Sequence, residues 1–274
     1  MNAKELAEKL GGLVYPDRIY CVSCGHPIDP GMPYGLCKTC RERFSFASDG
    51  HKPSGFHATW YTLWEKELVL RFKYANRAWY AGPMAEMMAD MLFMYAREAT
   101  AGADRTAEAE NADDPSGRNG KAAKDGTVAT LAPFFDGIVA VPLHETRYRK
   151  RGYNQAELLA RELSERIGVP YVADALLRVK KTAPLKTLSE TERREELKGV
   201  FGPGTSDVAG KRLILVDDIL TTGATAGACS DILRGMGAKS VKTVAFTATA
   251  RDRKNAVIDG FTDEEPPDAQ ADGM

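Results

Sequence analysis

No run of about 18 apolar residues occurs in the 274-residue sequence, so it offers no candidate membrane span. The opening MNAKELAEKL is an amphipathic helical pattern and lacks the charged patch and small-residue cleavage site of an export signal. A cytoplasmic protein without membrane insertion is therefore expected. Internal repeats are missing too, which removes solenoids and arrays. Net charge of one sign is also absent, since 37 Lys+Arg face 38 Asp+Glu. That balance averages unlike segments: residues 259–274 hold six acids and no base, and residues 97–127 hold seven acids and five bases. The remainder is mildly basic. With 43 % hydrophobic residues, the chain can bury a substantial core in one or two domains.

Three segments follow from composition. Residues 1–55 comprise the N-terminal helical pattern and a Gly/Pro-rich stretch too poor in apolar residues to build its own core. Residues 56–258 form the main domain, and 259–274 read as an acidic disordered tail. Residues 56–95 read as helical, with a break at Gly82–Pro83 followed by Met84, Met87, Met88, Met91 and Met94, which read as core packing. A segment of about 97–130, rich in Ala, Gly, Asp, Glu and Lys, reads as a disordered insertion. Beyond it, apolar strands at 137–141, 169–172, 212–216 and 241–248 alternate with amphipathic helices at 153–167 and 224–236. Continuous apolar strands separated by helices predict an α/β fold with a parallel sheet covered on both faces.

Four of the five cysteines are arranged as Cys21-x2-Cys24-x12-Cys37-x2-Cys40. Two such knuckles bring four thiolates around one tetrahedral ion, and zinc would supply the cohesion that this stretch lacks. A complete protein ligand set makes the ion structural, and it leaves no vacancy for His26 or His51. A disulfide framework is the rival reading, and a cytoplasmic setting argues against it. Cys229 reads as a small buried apolar residue.

The segment Leu213 to Thr225, LILVDDILTTGAT, takes a buried strand into adjacent carboxylates and then a Thr/Gly turn that opens a helix. Ligands of open α/β sheets bind at this end of a strand. Backbone N–H groups of the turn and the helix dipole suit a phosphate, while Asp217 and Asp218 can accept from vicinal sugar hydroxyls, directly or while ordering a hydrated magnesium. Diol acceptors beside phosphate donors describe a ribose 5-phosphate; a plain helix cap is the bland alternative. The segment resembles the phosphoribosyl pyrophosphate (PRPP) signature of type I phosphoribosyltransferases. By that resemblance Asp217 and Asp218 meet the ribose hydroxyls, and Thr221, Thr222, Gly223, Ala224 and Thr225 cradle the 5-phosphate.

The third motif, VPLHETRYRKRGYNQ from Val141 to Gln155, sets basic side chains near the same sheet edge. The resemblance makes Pro142, Leu143 and His144 the pyrophosphate loop, with Arg147 and Arg151 able to clamp phosphate oxygens. A solvated basic face remains the alternative. The knuckles, Lys73–Tyr74, this motif and VDDILTTGAT together resemble the ComF family, a zinc ribbon joined to a type I phosphoribosyltransferase-like domain, over residues 18–250. The segment from Thr182 through Arg193 to Phe201 also follows the family, departing from it at Leu185 and Glu196, where the family carries amides. The resemblance implies zinc, magnesium with PRPP, and single-stranded DNA and a competence helicase as partners. It leaves three functions open: a phosphoribosyltransferase of nucleotide metabolism with an unidentified acceptor, an accessory of DNA uptake, and a metabolite-sensing regulator.

Overall fold

The computed structural model describes residues 19–47, 51–52, 55–75, 77–108, 130–180 and 196–249. The N-terminal helical pattern, the segment 181–195 with Leu185, the acidic tail and most of the expected insertion lie outside these residues. Seven strands are present among them: β1 (His51–Lys52), β2 (Gly55–Trp60), β3 (Gly137–Ala140), β4 (Leu176–Arg178), β5 (Phe201–Pro203), β6 (Arg212–Leu220) and β7 (Ser240–Ala248). Five form one sheet in the order β1-β2-β7-β6-β3; β1 pairs with β2 antiparallel, and the other three pairings are parallel. β4 and β5 make a separate antiparallel hairpin. The helices are α1 (Lys38–Arg43), α2 (Leu63–Tyr74), α3 (Ala81–Glu108), α4 (Glu145–Arg151), α5 (Gln155–Ile167) and α6 (Ala224–Gly235).

The parallel sheet flanked by helices is the α/β architecture expected of a phosphoribosyltransferase-like fold. Leu213, Ile214, Leu215 and Val216 are all fully buried, so both faces of β6 are covered. Alternation is absent because neither face meets water. The methionines at 84, 87, 88 and 91 are buried as core residues, whereas Met94 is 47 % exposed. Asn154 caps α5 by accepting from the Ala156 N–H (3.2 Å), and Gly168 at φ +65° closes it. Gly55 sits at φ +145°, and any Cβ there would lie 2.7 Å from the Thr243 carbonyl oxygen, so β2 and β7 meet backbone to backbone.

Several element boundaries differ from the sequence expectation. Residues 55–60 are a strand and not the start of a helix, because β7 offers them a parallel partner from Phe56↔Val244 to Trp60↔Ala248. Gly82–Pro83 is no break: it lies in the first turn of α3, where proline costs no helix bond, and the interruption falls at the 3-10 turn Ala78–Tyr80. α3 continues to Glu108, so the first part of the supposed insertion is helical backbone. Only Tyr171, bridged to Ile138, remains of the expected strand at 169–172. β6 runs four residues past Val216 and carries both acids inside the strand, since β7 pairs with it as far as Leu220↔Ala248.

Candidate functional site

Strand β6 delivers Asp217 and Asp218 to its carboxyl end, where both residues are partly exposed. The Asp217 carboxylate turns back to accept from the Asp218 N–H (2.9 Å). The Asp218 carboxylate receives Lys73 Nζ from the last turn of α2 at 2.8 Å. Burial, and then the Asp218 charge, pushes the Asp217 carboxyl up to about 8. Burial would raise Asp218 as well, but Lys73 outweighs it and Arg151 adds to the effect, so that carboxyl lies below the ordinary range.

The turn after β6 leaves Thr221 exposed and Thr222 to Thr225 half-buried. Gly223 at φ +76° caps α6, and the Ala224 N–H bonds the Thr222 hydroxyl (3.3 Å). The first backbone bond of the helix runs from Gly227 N–H to the Gly223 carbonyl (2.7 Å), so the preceding helical amides point out of the N-terminus as anion donors.

The basic motif splits into different roles. Pro142 and Leu143 line a cavity of about 180 Å³ walled by Tyr148, Asn154, Glu157 and Asp174, and neither acid is part of its lining. His144 caps α4, its Nδ1 accepting from the Thr146 N–H at 3.2 Å. Arg149 pairs with Glu145 on the exposed face. Arg151 turns inward, donating to Tyr74 Oη (3.2 Å), lying over that ring (5.0 Å) and reaching Gln155 (3.3 Å). Arg147 is exposed, and its charge acts on Arg178.

Two residues given no role from sequence join the site. Lys73 stood in a quoted motif, and only the fold brings it to Asp218. Arg178, on β4, had no sequence signal: burial, then the Arg147 charge, lowers its pKa, while the nearby Cys229 and Asp217 oppose this. Cys229 is fully buried, and burial followed by the Asp217 charge pushes its thiol up.

The four knuckle cysteines converge separately, their Sγ atoms all within 4.8 Å of one another. Cys24 and Cys37 are 3.8 Å apart, matching the edge of about 3.8 Å that a tetrahedral zinc–thiolate site with 2.3 Å bonds requires. N–H groups of Cys37 and Cys40 point at Cys21 Sγ (3.3 Å) and Cys37 Sγ (3.4 Å). Burial opposes ionisation of Cys21, but backbone donors at Cys24, Cys37 and Ser23 bring it down to about 7. Burial pushes the Cys40 thiol the other way, and the donor set could hold a structural metal. Of the aromatic residues behind the knuckle, Phe44 and Tyr61 are buried and Trp64 carries Arg43 at 4.8 Å, while Phe46 is 38 % exposed.

The parallel sheet flanked by helices is joined by a match to the phosphoribosyl transferase domain family over residues 149–270, and together they make this a phosphoribosyltransferase-like fold. That span includes Asp217 to Thr225 and leaves Lys73, Pro142 to Arg147 and the four knuckle cysteines outside it. Competence protein F of Haemophilus influenzae is 38 % identical over 109 residues, 39 % of this chain and 48 % of that protein. DNA utilization protein YhgH of Salmonella typhi is 35 % identical over 114 residues, 42 % and 50 % of the two chains. Competence protein ComFC of Streptococcus pneumoniae is 36 % identical over 106 residues, 39 % and 45 %. These relatives, which carry competence and DNA-utilization names, are what the chain is similar to over about two fifths of its length. The chain spans about half the length of the curated relatives it matches. Among solved structures, adenine phosphoribosyl transferase from Trypanosoma brucei is 10 % identical at TM-score 0.32, covering 84 % of this chain and 87 % of that one. A glutamine PRPP amidotransferase from B. subtilis is 22 % identical at TM-score 0.29, covering 40 % and 22 %. No helix among the described residues is long and apolar enough to cross a membrane.

Proposed function

We propose that the chain binds a ribose 5-phosphate, PRPP foremost, in the service of single-stranded DNA handling during DNA uptake. One observation carries the binding reading: the acid pair at the carboxyl end of a central parallel strand runs directly into a glycine-capped helix N-terminus. Asp218 accepts from the sugar diol, and the turn from Thr221 to Thr225 takes the terminal phosphate. Magnesium enters this reading as the companion of the pyrophosphate. Pro142, Leu143, Arg147 and Arg151 lie on the side from which that group would be held, and Arg178 adds a cation that the motif did not announce. The ion of the knuckle is assigned as zinc, in a structural role.

The names of the relatives support the DNA side of the reading, with a competence helicase as the protein partner. The exposed Arg147, Tyr148, Arg149 and Lys150 on α4 mix cations with a stacking ring, as single-strand binding requires. Calorimetry with PRPP and magnesium tests the site: wild type should give heat that Asp217→Ala and Asp218→Ala lose, and equal heats in all three would refute it. Pyrophosphate release, followed with and without single-stranded DNA, separates a transferase from a sensor.

A further inference from the structure

Lys73 is the group at the site that neither the motif nor the fold class explains. Its Nζ lies 2.8 Å from Asp218 Oδ2, and the two side chains are only 15 % and 13 % exposed. The backbone that carries it is fixed on every side. Arg71 donates to the Ser23 carbonyl (2.9 Å), Phe72 is fully buried and its carbonyl accepts from the Tyr153 hydroxyl, and Tyr74 holds Arg151. Lys73 is therefore no surface lysine swinging onto a nearby acid.

An ammonium held there takes the position that a protein-bound divalent cation would need on Asp218. Lys73 occupies Oδ2 of Asp218 and the Asp218 N–H occupies Oδ1 of Asp217, so the two acids leave a divalent ion few of the near-octahedral oxygen ligands that magnesium demands, and the ammonium beside them repels it. The residues present thus do not fit a divalent ion bound by the acids alone. The geometry points to Lys73 as the resident cation of the sugar site, a positioning residue that keeps Asp218 aimed at a sugar hydroxyl and excludes free divalent ions from the two acids. This rests on the ribose 5-phosphate reading above. Its consequence is that ribose 5-phosphate, which has the diol and the phosphate but no pyrophosphate, binds without added metal.

Two measurements on the full chain test it. Electron paramagnetic resonance of free Mn²⁺ should show no uptake by wild type beyond background, uptake of about one ion by Lys73→Met, and none again in Lys73→Met combined with Asp218→Asn. Lys73→Arg, which keeps the charge, should exclude Mn²⁺ as wild type does. In calorimetry without added divalent ions, ribose 5-phosphate should bind wild type and lose about tenfold in affinity in Lys73→Met. Equal Mn²⁺ uptake by wild type and Lys73→Met, or ribose 5-phosphate binding to wild type only when a divalent ion is added, would overturn the proposal. Should ribose 5-phosphate not bind wild type under either metal condition, the functional reading falls, while the Mn²⁺ comparison still decides what Lys73 does.

Discussion

Asp217 and Asp218 are neighbours on one strand, yet their surroundings move them in opposite directions. The unfolded chain releases the Asp217 proton near the ordinary value of about 3.9, whereas burial and the Asp218 charge hold it in the folded chain up to about 8. The folded state thus binds the proton that the unfolded state has lost. This group favours folding fully below about pH 4, and its contribution fades as pH rises through about 8. Asp218 runs the other way. Burial would raise it, but Lys73 holds it below the ordinary range, so its contribution is present above the unfolded value and lost in acid. Asp217→Asn keeps the neutral hydrogen-bonding group and removes the titration. Its melting temperature should gain on that of wild type as pH is raised from about 5 to about 9. A difference that stays constant across that range would mean that Asp217 is already ionised at the lower end.

Helix α2 joins the two ends of this chemistry. Its first turn carries Glu65, fully buried, which accepts from the Ser45 N–H (2.6 Å) just beyond α1, from the Thr62 N–H (3.1 Å) and from the Thr62 hydroxyl. Its last turns carry Arg71 to the knuckle backbone and Lys73 to Asp218. Glu65→Ala would strand these donors under the helix and is expected to cost about 3 kcal/mol in denaturant unfolding, with Glu65→Gln recovering a part. A loss below about 0.5 kcal/mol, the size of an ordinary surface change, would remove Glu65 from that role. Apart from the local Thr62–Glu65 capping box, none of these links could be read along the chain, because each joins residues that only the fold brings together. What was legible was local: the run from Leu213 through the acids and the glycine turn into α6 is contiguous, and so is the cysteine spacing. β2 was misread because its apolar run adjoins a helix and its partner β7 lies at the far end of the sequence. Arg178 was invisible because it sits on a hairpin whose strands are separated by more than twenty residues and feels the Asp217 charge only through the fold.

At the scale of the whole molecule, the knuckle and the α/β domain share one core. Cys21, Val22, Leu36 and Cys40 are buried in the same apolar cluster as Phe72, Met84 and Met88. Polar links cross the junction as well: the Tyr34 N–H reaches Glu86 (3.0 Å), its hydroxyl reaches Asp90 (2.8 Å), and Arg71 reaches Ser23. In the zinc reading proposed above, a segment with so few apolar residues would keep that arrangement through the ion, whose binding energy is folding energy for such a module. Removing the metal should therefore loosen α2 and α3 together with the knuckle. Metal analysis is expected to find about one zinc per chain. Chelation, or Cys24→Ser at the exposed ligand, should shift the main calorimetric transition downward as a unit, by about 2–4 °C for each kcal/mol lost. A separate low-temperature transition with the main one unmoved would show that the knuckle is a passenger on the α/β domain. A zinc content of two, or none, would refute the four-thiolate assignment itself.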